Sequence, residues 1–297
     1  VTRELCNEFR KNGFVIVRGL LPCGDLDRVR QDLTSLTASV AKEKGLKFDP
    51  GSLRFENAVA KLEAQDPGLS AALHASMTLS DTVADLWRHP ALLNTVHRLS
   101  GWSSIAAHPI FNIRPKTPST KELNYGMHQD PAFWGEGSDA IDVIACWIPL
   151  VPVSQLNGTL QLVEGSHRDG KLYQHFLAPD GSYAPFIPDE YQPAGDRVLA
   201  ELMSGDVVFF AQHTVHGGCG PNCSDEVRWA IDLRWQNHLD PDFLTGSCDA
   251  VKLWDFDTGP ADVDVPSWRL RWLEQERRRK REKSWQKDWP AYLRESE

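Results

Sequence analysis

The chain has 297 residues, a hydrophobic fraction of 41%, a charged fraction of 25% and a formal charge of −9 with a pI near 5.6. That much apolar material supports one full core, and the acidic balance speaks against a general nucleic-acid or anionic-membrane surface. No apolar run reaches the roughly eighteen residues a bilayer-spanning helix needs.

In chain order, residues 1–297 divide into three zones of a single domain. Residues 1–103 are mainly helical in pattern after an early strand at 14–19. Leu26, Val29, Leu33 and Leu36 recur at helical spacing, as do Val83, Leu86, Leu92, Leu93 and Val96. The opening residues lack the basic-then-apolar layout of a signal peptide. Residues 104–238 change to short β-rich runs at 105–113, 143–153, 159–163, 207–210 and 228–235, punctuated by Gly, Pro, Asn and Asp. Such punctuation predicts a β-sandwich or barrel, mainly β with flanking helices, rather than a parallel sheet. Residues 168–198 interrupt it as a long irregular insertion, a common form for a substrate loop. The zone 239–297 is a C-terminal extension carrying a charged, Trp-bearing helix over 266–287. Its block Arg277-Arg278-Arg279-Lys280-Arg281 is flanked by Glu274, Glu276 and Glu282, while Trp268, Trp272, Leu273 and Trp285 offer a face that packs on the body or forms a homodimer contact.

Six cysteines in a chain this long do not make a disulfide scaffold, so free thiols in a cytoplasmic protein are expected. Cys219 and Cys223 lie four apart, but no second pair follows and their segment reads as a loop rather than a zinc site.

Three His-X-Asp pairs occur: His128-Gln129-Asp130, His167-Arg168-Asp169 and His238-Leu239-Asp240. Residues i and i+2 of an extended segment project to one side, so each pair could reach one ion, and a facial triad then needs a second histidine brought in by the fold. His238 is the last histidine and has no downstream partner. The 167–169 pair sits in a turn after the 159–163 strand, where Ser166 and Asp169 satisfy backbone groups. The first pair follows a loop at 117–126. Downstream, Ser204-Gly205-Asp206 turns into a buried strand that leads to His213 and His216, then to Gly217-Gly218 and Arg228. His213 and His216 have opposite strand parity, and the glycines, which let a backbone approach closely, favour His216 over its competitor His213.

Taken together, Phe9 to Leu20, His128-Gln129-Asp130, Asn157-Gly158-Thr159-Leu160 with Glu164-Gly165-Ser166-His167, Gly205-Asp206-Val207-Val208-Phe209-Phe210, and His216-Gly217-Gly218 running to Arg228 resemble the phytanoyl-CoA dioxygenase-like family of Fe(II)/2-oxoglutarate oxygenases. The resemblance implies a double-stranded β-helix, or jelly roll, of cupin type. It implies Fe(II) on His128, Asp130 and His216, and the distal carboxylate of 2-oxoglutarate on Arg228, with Ile110, Gln129 and Trp147 lining the co-substrate pocket. It further implies that O2 is consumed, that succinate and CO2 leave, and that ascorbate is a candidate stimulant. Related halogenases carry a small residue where Asp130 stands, so the aspartate implies hydroxylation, desaturation or cyclisation instead. The family spans acyl-CoA hydroxylases and enzymes of small metabolites. No basic cluster in the central zone suits the phosphates of CoA, which favours a small-molecule metabolite or natural-product intermediate. A non-catalytic cupin-like sensor is the rival of another class.

Overall fold

The computed structural model describes residues 2–49, 51, 54–66, 69–118, 126–134, 138–177, 185–240 and 250–282. Cys248, Trp285, most of the 117–126 loop and part of the 168–198 insertion lie outside the described residues.

Helix α1 (Arg3–Asn12) starts where Thr2 Oγ1 accepts the Leu5 N–H and ends at Gly13, whose left-handed φ of 85° turns the chain directly into strand β1 (Phe14–Val17). A side chain at position 13 is barred twice over, because a Cβ there would lie 2.4 Å from His167 Nδ1. Helix α2 (Cys23–Glu43) buries Leu26, Val29, Leu33 and Val40 along one stripe. Helices α3 (Phe55–Glu63) and α4 (Leu69–Thr78) follow. The second apolar periodicity of the sequence becomes two helices, α5 (Asp81–Trp87) and α6 (Pro90–Ser100), because Pro90 takes the first turn of a new helix and the His89 side chain caps it by accepting the Ala91 N–H.

The β zone begins with β2 (Ser104–Ala107) and β3 (Asn112–Lys116), one expected run split at His108-Pro109. Strands β4 (Val143–Pro149), β5 (Leu160–Val163), β6 (Phe176–Leu177), β7 (Pro185–Phe186), β8 (Arg197–Leu199), β9 (Val207–Ala211), β10 (His216–Gly218) and β11 (Arg228–Asn237) follow. After them come β12 (Val251–Asp255), β13 (Gly259–Pro260) and helix α7 (Val265–Glu282). All pairings between these strands are antiparallel. The large sheet runs β1-β9-β4-β11-β2-β12-β13, with β3 also on β11, and the small one runs β10-β5-β8. The two form the mainly β, cupin-like jelly roll with flanking helices that was expected.

Strand β11 explains the division of labour between the sheet's faces. All but its last residue are buried, yet they alternate in character. Trp229, Ile231, Leu233 and Trp235 point one way, into the helical layer, where Trp229 stacks on Phe55 at 4.6 Å and the Trp235 Nε1–H donates to Trp87 O at 3.1 Å. Trp87 returns its own Nε1–H to Arg234 O at 3.2 Å and packs edge-on against Phe111 and Trp268. Truncating Trp87 to alanine should cost about 3–5 kcal/mol, as for other buried aromatic residues. Arg228, Asp232 and Arg234 point the other way, into the space between the sheets. Helix α7 buries Trp268, Trp272 and Leu273 against its own chain, while Leu270, Arg277 and Arg278 are exposed. Among the described residues no helix is long and apolar enough to cross a membrane.

Candidate active site

His128 and His216 form an antiparallel bridge: the His128 N–H donates to His216 O at 2.8 Å and the His216 N–H to His128 O at 2.9 Å. Facing residues of such a pair project to the same side, and their rings lie 4.4 Å apart. Asp130, two residues on, joins them from the same side, at the start of a short 3-10 turn. One donor atom from each of the three lies within 4.8 Å of the others, and all three residues are buried. Close approach of the two segments requires a small residue at 217, where a Cβ would stand 2.8 Å from Gly126 O.

The tautomers suit metal binding. His128 Nδ1–H donates to Gly126 O at 2.7 Å and His216 Nδ1–H to Thr214 O at 2.9 Å, which makes Nε2 the unprotonated ring nitrogen in each. Burial holds both imidazoles below their ordinary range, hence neutral. Burial alone would raise the Asp130 carboxyl, but Arg234, by its charge and its hydrogen bonds, holds it well below the usual carboxylate range, hence charged. Two neutral imidazoles and one carboxylate match the donor set of a non-haem Fe(II) site with open positions.

The same cavity is lined by Trp147, Phe210, Arg114 and Arg228. Arg228 lies over the Trp147 ring at 5.4 Å. Among the described residues its buried Nε–H has no hydrogen-bond partner, and its one side-chain bond, to Arg114 O, is long at 3.5 Å. Burial, and then the neighbouring Arg114, push its pKa down to about 10, and it remains charged at neutral pH. Lys116, its register partner on β3, donates to Gly220 O and is pushed down to about 8 by burial and by Arg228. Four inward cations (Arg114, Lys116, Arg228 and Arg234) thus face two anions (Asp130 and Asp232), a positive surplus that an anionic ligand would neutralise.

Several expected residues lie elsewhere. Gln129 is the odd member of an extended segment and points away from its neighbours' donors. Its Nε2 donates to Lys171 O and His213 O, both at 2.8 Å, and its Oε1 accepts the Tyr173 N–H at 2.7 Å. Ile110 offers its carbonyl to Arg234 at 3.3 Å and packs beside Trp134 and Ile141. Neither is among the cavity-lining residues. His213 and His167 line a second cavity with Asp142 and Gln212, and His167 Nε2 bonds to Arg10 O at 3.2 Å. The His238 N–H donates to Ser104 O. Missed from the sequence were Arg114, Lys116, Asp232 and Arg234. Their signal was present: charged residues recur on one face of β3 (Arg114, Lys116) and of β11 (Arg228, Asp232, Arg234), alternating with mostly apolar ones, in strands too apolar on the other face to lie at the surface.

The chain matches the profile of the phytanoyl-CoA dioxygenase (PhyH) family over residues 9–230. A probable phytanoyl-CoA dioxygenase of Caenorhabditis elegans is 24% identical over 236 residues, covering 77% of this chain and 73% of that protein. A 1-deoxypentalenic acid 11-beta-hydroxylase of Streptomyces arenae is 25% identical over 255 residues, covering 79% and 81%. Among solved structures, the non-heme monooxygenase ThoJ in its apo form shares the fold with a TM-score of 0.63 at 17% identity, covering 94% of this chain and 99% of that one. The chain therefore belongs to the phytanoyl-CoA dioxygenase family of Fe(II)- and 2-oxoglutarate-dependent oxygenases.

Proposed function

We propose that His128, Asp130 and His216 hold Fe(II), that Arg228 and Trp147 hold 2-oxoglutarate, and that the enzyme oxidises an unactivated C–H bond of a small metabolite or natural-product intermediate. The observation that carries this reading is a buried arginine, its Nε–H unsatisfied among the described residues, in a cavity lined by His128 and His216, two of the three clustered metal donors. A guanidinium is a planar, permanently charged fork matched to a carboxylate, and a metal-donor cluster beside it accounts for the other end of a keto acid.

When bound, iron and 2-oxoglutarate supply the oxidising power, the keto acid leaving as succinate and CO2 while O2 is consumed. The chain's own residues bind and orient. The carbonyls of Gly126 and Thr214 fix the two imidazoles, and Arg228 takes the distal carboxylate with Trp147 as the wall beneath it. Phe133, edge-on to His128 at 5.0 Å, and Phe210, 4.4 Å from His216, shield the donors from water and offer an apolar approach for the substrate. Gln129 acts indirectly, tying the insertion that includes Tyr173 to the metal loop. An aspartate at 130 keeps a third protein donor in place, which favours hydroxylation, desaturation or ring closure.

Succinate formation with Fe(II), 2-oxoglutarate, O2 and ascorbate, screened against carbocyclic acids, amino-acid derivatives and acyl-CoA thioesters, tests the reading. One class should stimulate turnover, and stimulation by acyl-CoA alone would assign the acyl-CoA activity instead. Asp130→Ala should abolish substrate-coupled succinate, and full turnover in that variant would sink the assignment. Binding of metal and 2-oxoglutarate with no turnover on any class would mark a sensor.

A further inference from the structure

We infer that Arg234 is a positioning residue that fixes Asp130 so that a single carboxylate oxygen, Oδ1, faces the two histidines, and that links this carboxylate through Asp232 to the arginines of the co-substrate cavity. The inference rests on His128, Asp130 and His216 being the metal donors.

A carboxylate offers two oxygens and about four lone-pair positions. Arg234 takes one on each oxygen: its Nε–H donates to Oδ2 at 2.7 Å and its NH2 group to Oδ1 at 2.8 Å. Oδ1 is also the oxygen 3.8 Å from His216 Nε2. With Oδ2 held on the guanidinium, the histidine side of the cluster meets Oδ1 alone. The remaining nitrogen of Arg234 donates to Asp232 Oδ2 at 2.8 Å and to Ile110 O at 3.3 Å. Asp232 in turn accepts from Arg114 Nε at 2.5 Å and from Asn112 Nδ2 at 3.0 Å. A continuous chain therefore runs from Asp130 through Arg234 and Asp232 to Arg114, whose carbonyl accepts from Arg228.

Stability is a poor reason to keep such a chain. Asp130, Asp232 and Arg234 are each 3% exposed, and buried ion pairs are often replaceable by apolar residues of similar volume without loss. Attraction for a metal is no better reason, because a cation behind a metal-binding carboxylate opposes a divalent ion. What a fixed fork provides is orientation, since partners behind the donors set ligand geometry and usually matter 10- to 100-fold. A lysine would keep the charge and lose the fork.

The test is divalent-metal affinity and ligand field, read without turnover. Mn(II) affinity by electron paramagnetic resonance and the visible spectrum of the Co(II) form are compared in the unaltered protein, Arg234→Lys and Asp130→Ala. Arg234→Lys should bind Mn(II) roughly 10- to 100-fold more weakly and shift the Co(II) bands. Unaltered affinity and spectrum in Arg234→Lys, with Asp130→Ala impaired, would overturn this inference alone. If the unaltered protein binds Mn(II) no better than Asp130→Ala, the metal assignment falls as well. In case Arg234→Lys does not fold, a crystal structure of the unaltered protein with Mn(II) supplies the second measurement. One Asp130 oxygen on the metal with both Arg234 bonds kept supports the inference, and a two-oxygen Asp130 or a displaced Arg234 overturns it.

Discussion

Replacing Arg228 separates a binding role from a structural one, because the two predict opposite effects on stability. Arg228 is buried, its Nε–H has no acceptor among the described residues, and Arg114 repels it. Arg228→Met removes an uncompensated charge and keeps much of the side chain's volume, so the melting temperature should stay the same or rise. Binding should collapse. Truncating one member of a buried, hydrogen-bonded charge pair costs about 2–5 kcal/mol, which at about 1.4 kcal/mol per decade weakens 2-oxoglutarate binding roughly 30- to 4,000-fold. Arg228→Lys keeps the charge and loses one charged hydrogen bond of about 1.5–3 kcal/mol, or roughly 10- to 150-fold. Calorimetric titration of 2-oxoglutarate into the Mn(II)-loaded protein without O2 measures both. A lowered melting temperature together with unchanged 2-oxoglutarate affinity in Arg228→Met would refute the reasoning and make Arg228 a core residue.

Gln129→Ala removes three hydrogen bonds between the metal loop and its neighbours, including those to Lys171 O and Tyr173 N–H, at about 1 kcal/mol net each. Amide exchange around Tyr173 should quicken, and unchanged exchange would show that the insertion is held by other contacts. Lys116 loses its proton as pH rises through about 8, so 2-oxoglutarate affinity should fall between pH 7 and 9, and Lys116→Met should flatten that profile. Without 2-oxoglutarate the protein should gain stability from about pH 8 up to the ordinary lysine value of 10.5, because there the unfolded chain holds more protons and stability rises with pH. Acid works against the fold through buried histidines. Burial lowers His108 to about 3 and His175 to about 4, so below the ordinary value of 6.5 the unfolded chain takes up protons that the folded one refuses. The melting temperature should drop between pH 6.5 and 4, less steeply in a folded His175→Gln variant, and a flat profile would contradict the burial of these rings.

The metal loop and its partner strand were legible in the sequence because their signals are local. His128 and Asp130 share a side by parity, His216 carries its glycine beside it, and Phe14, Val15 and the 207–210 run carry the continuous apolar, β-branched and aromatic character of buried strands. Helix α2 was legible for the same reason, its Leu26, Val29 and Leu33 falling on one stripe. Other features depended on distance in space. His108-Pro109 broke one apparent strand into β2 and β3 so that both could lie along β11, and β12 found its place only by pairing with β2. Gln129 looked like a pocket residue because it sits between two donors, yet the strand parity that aims those donors inward turns it outward, toward Lys171 and Tyr173. The constellation of His128, Asp130 and His216 was therefore marked by residue chemistry, spacing and parity, while their role as iron ligands and that of Arg228 at the co-substrate came from the family resemblance. That Asp130 is gripped by Arg234, and that Arg228 shares a buried, cation-rich face with Arg114 and Lys116, was decided by the antiparallel register of β3 and β11, which no local pattern encodes.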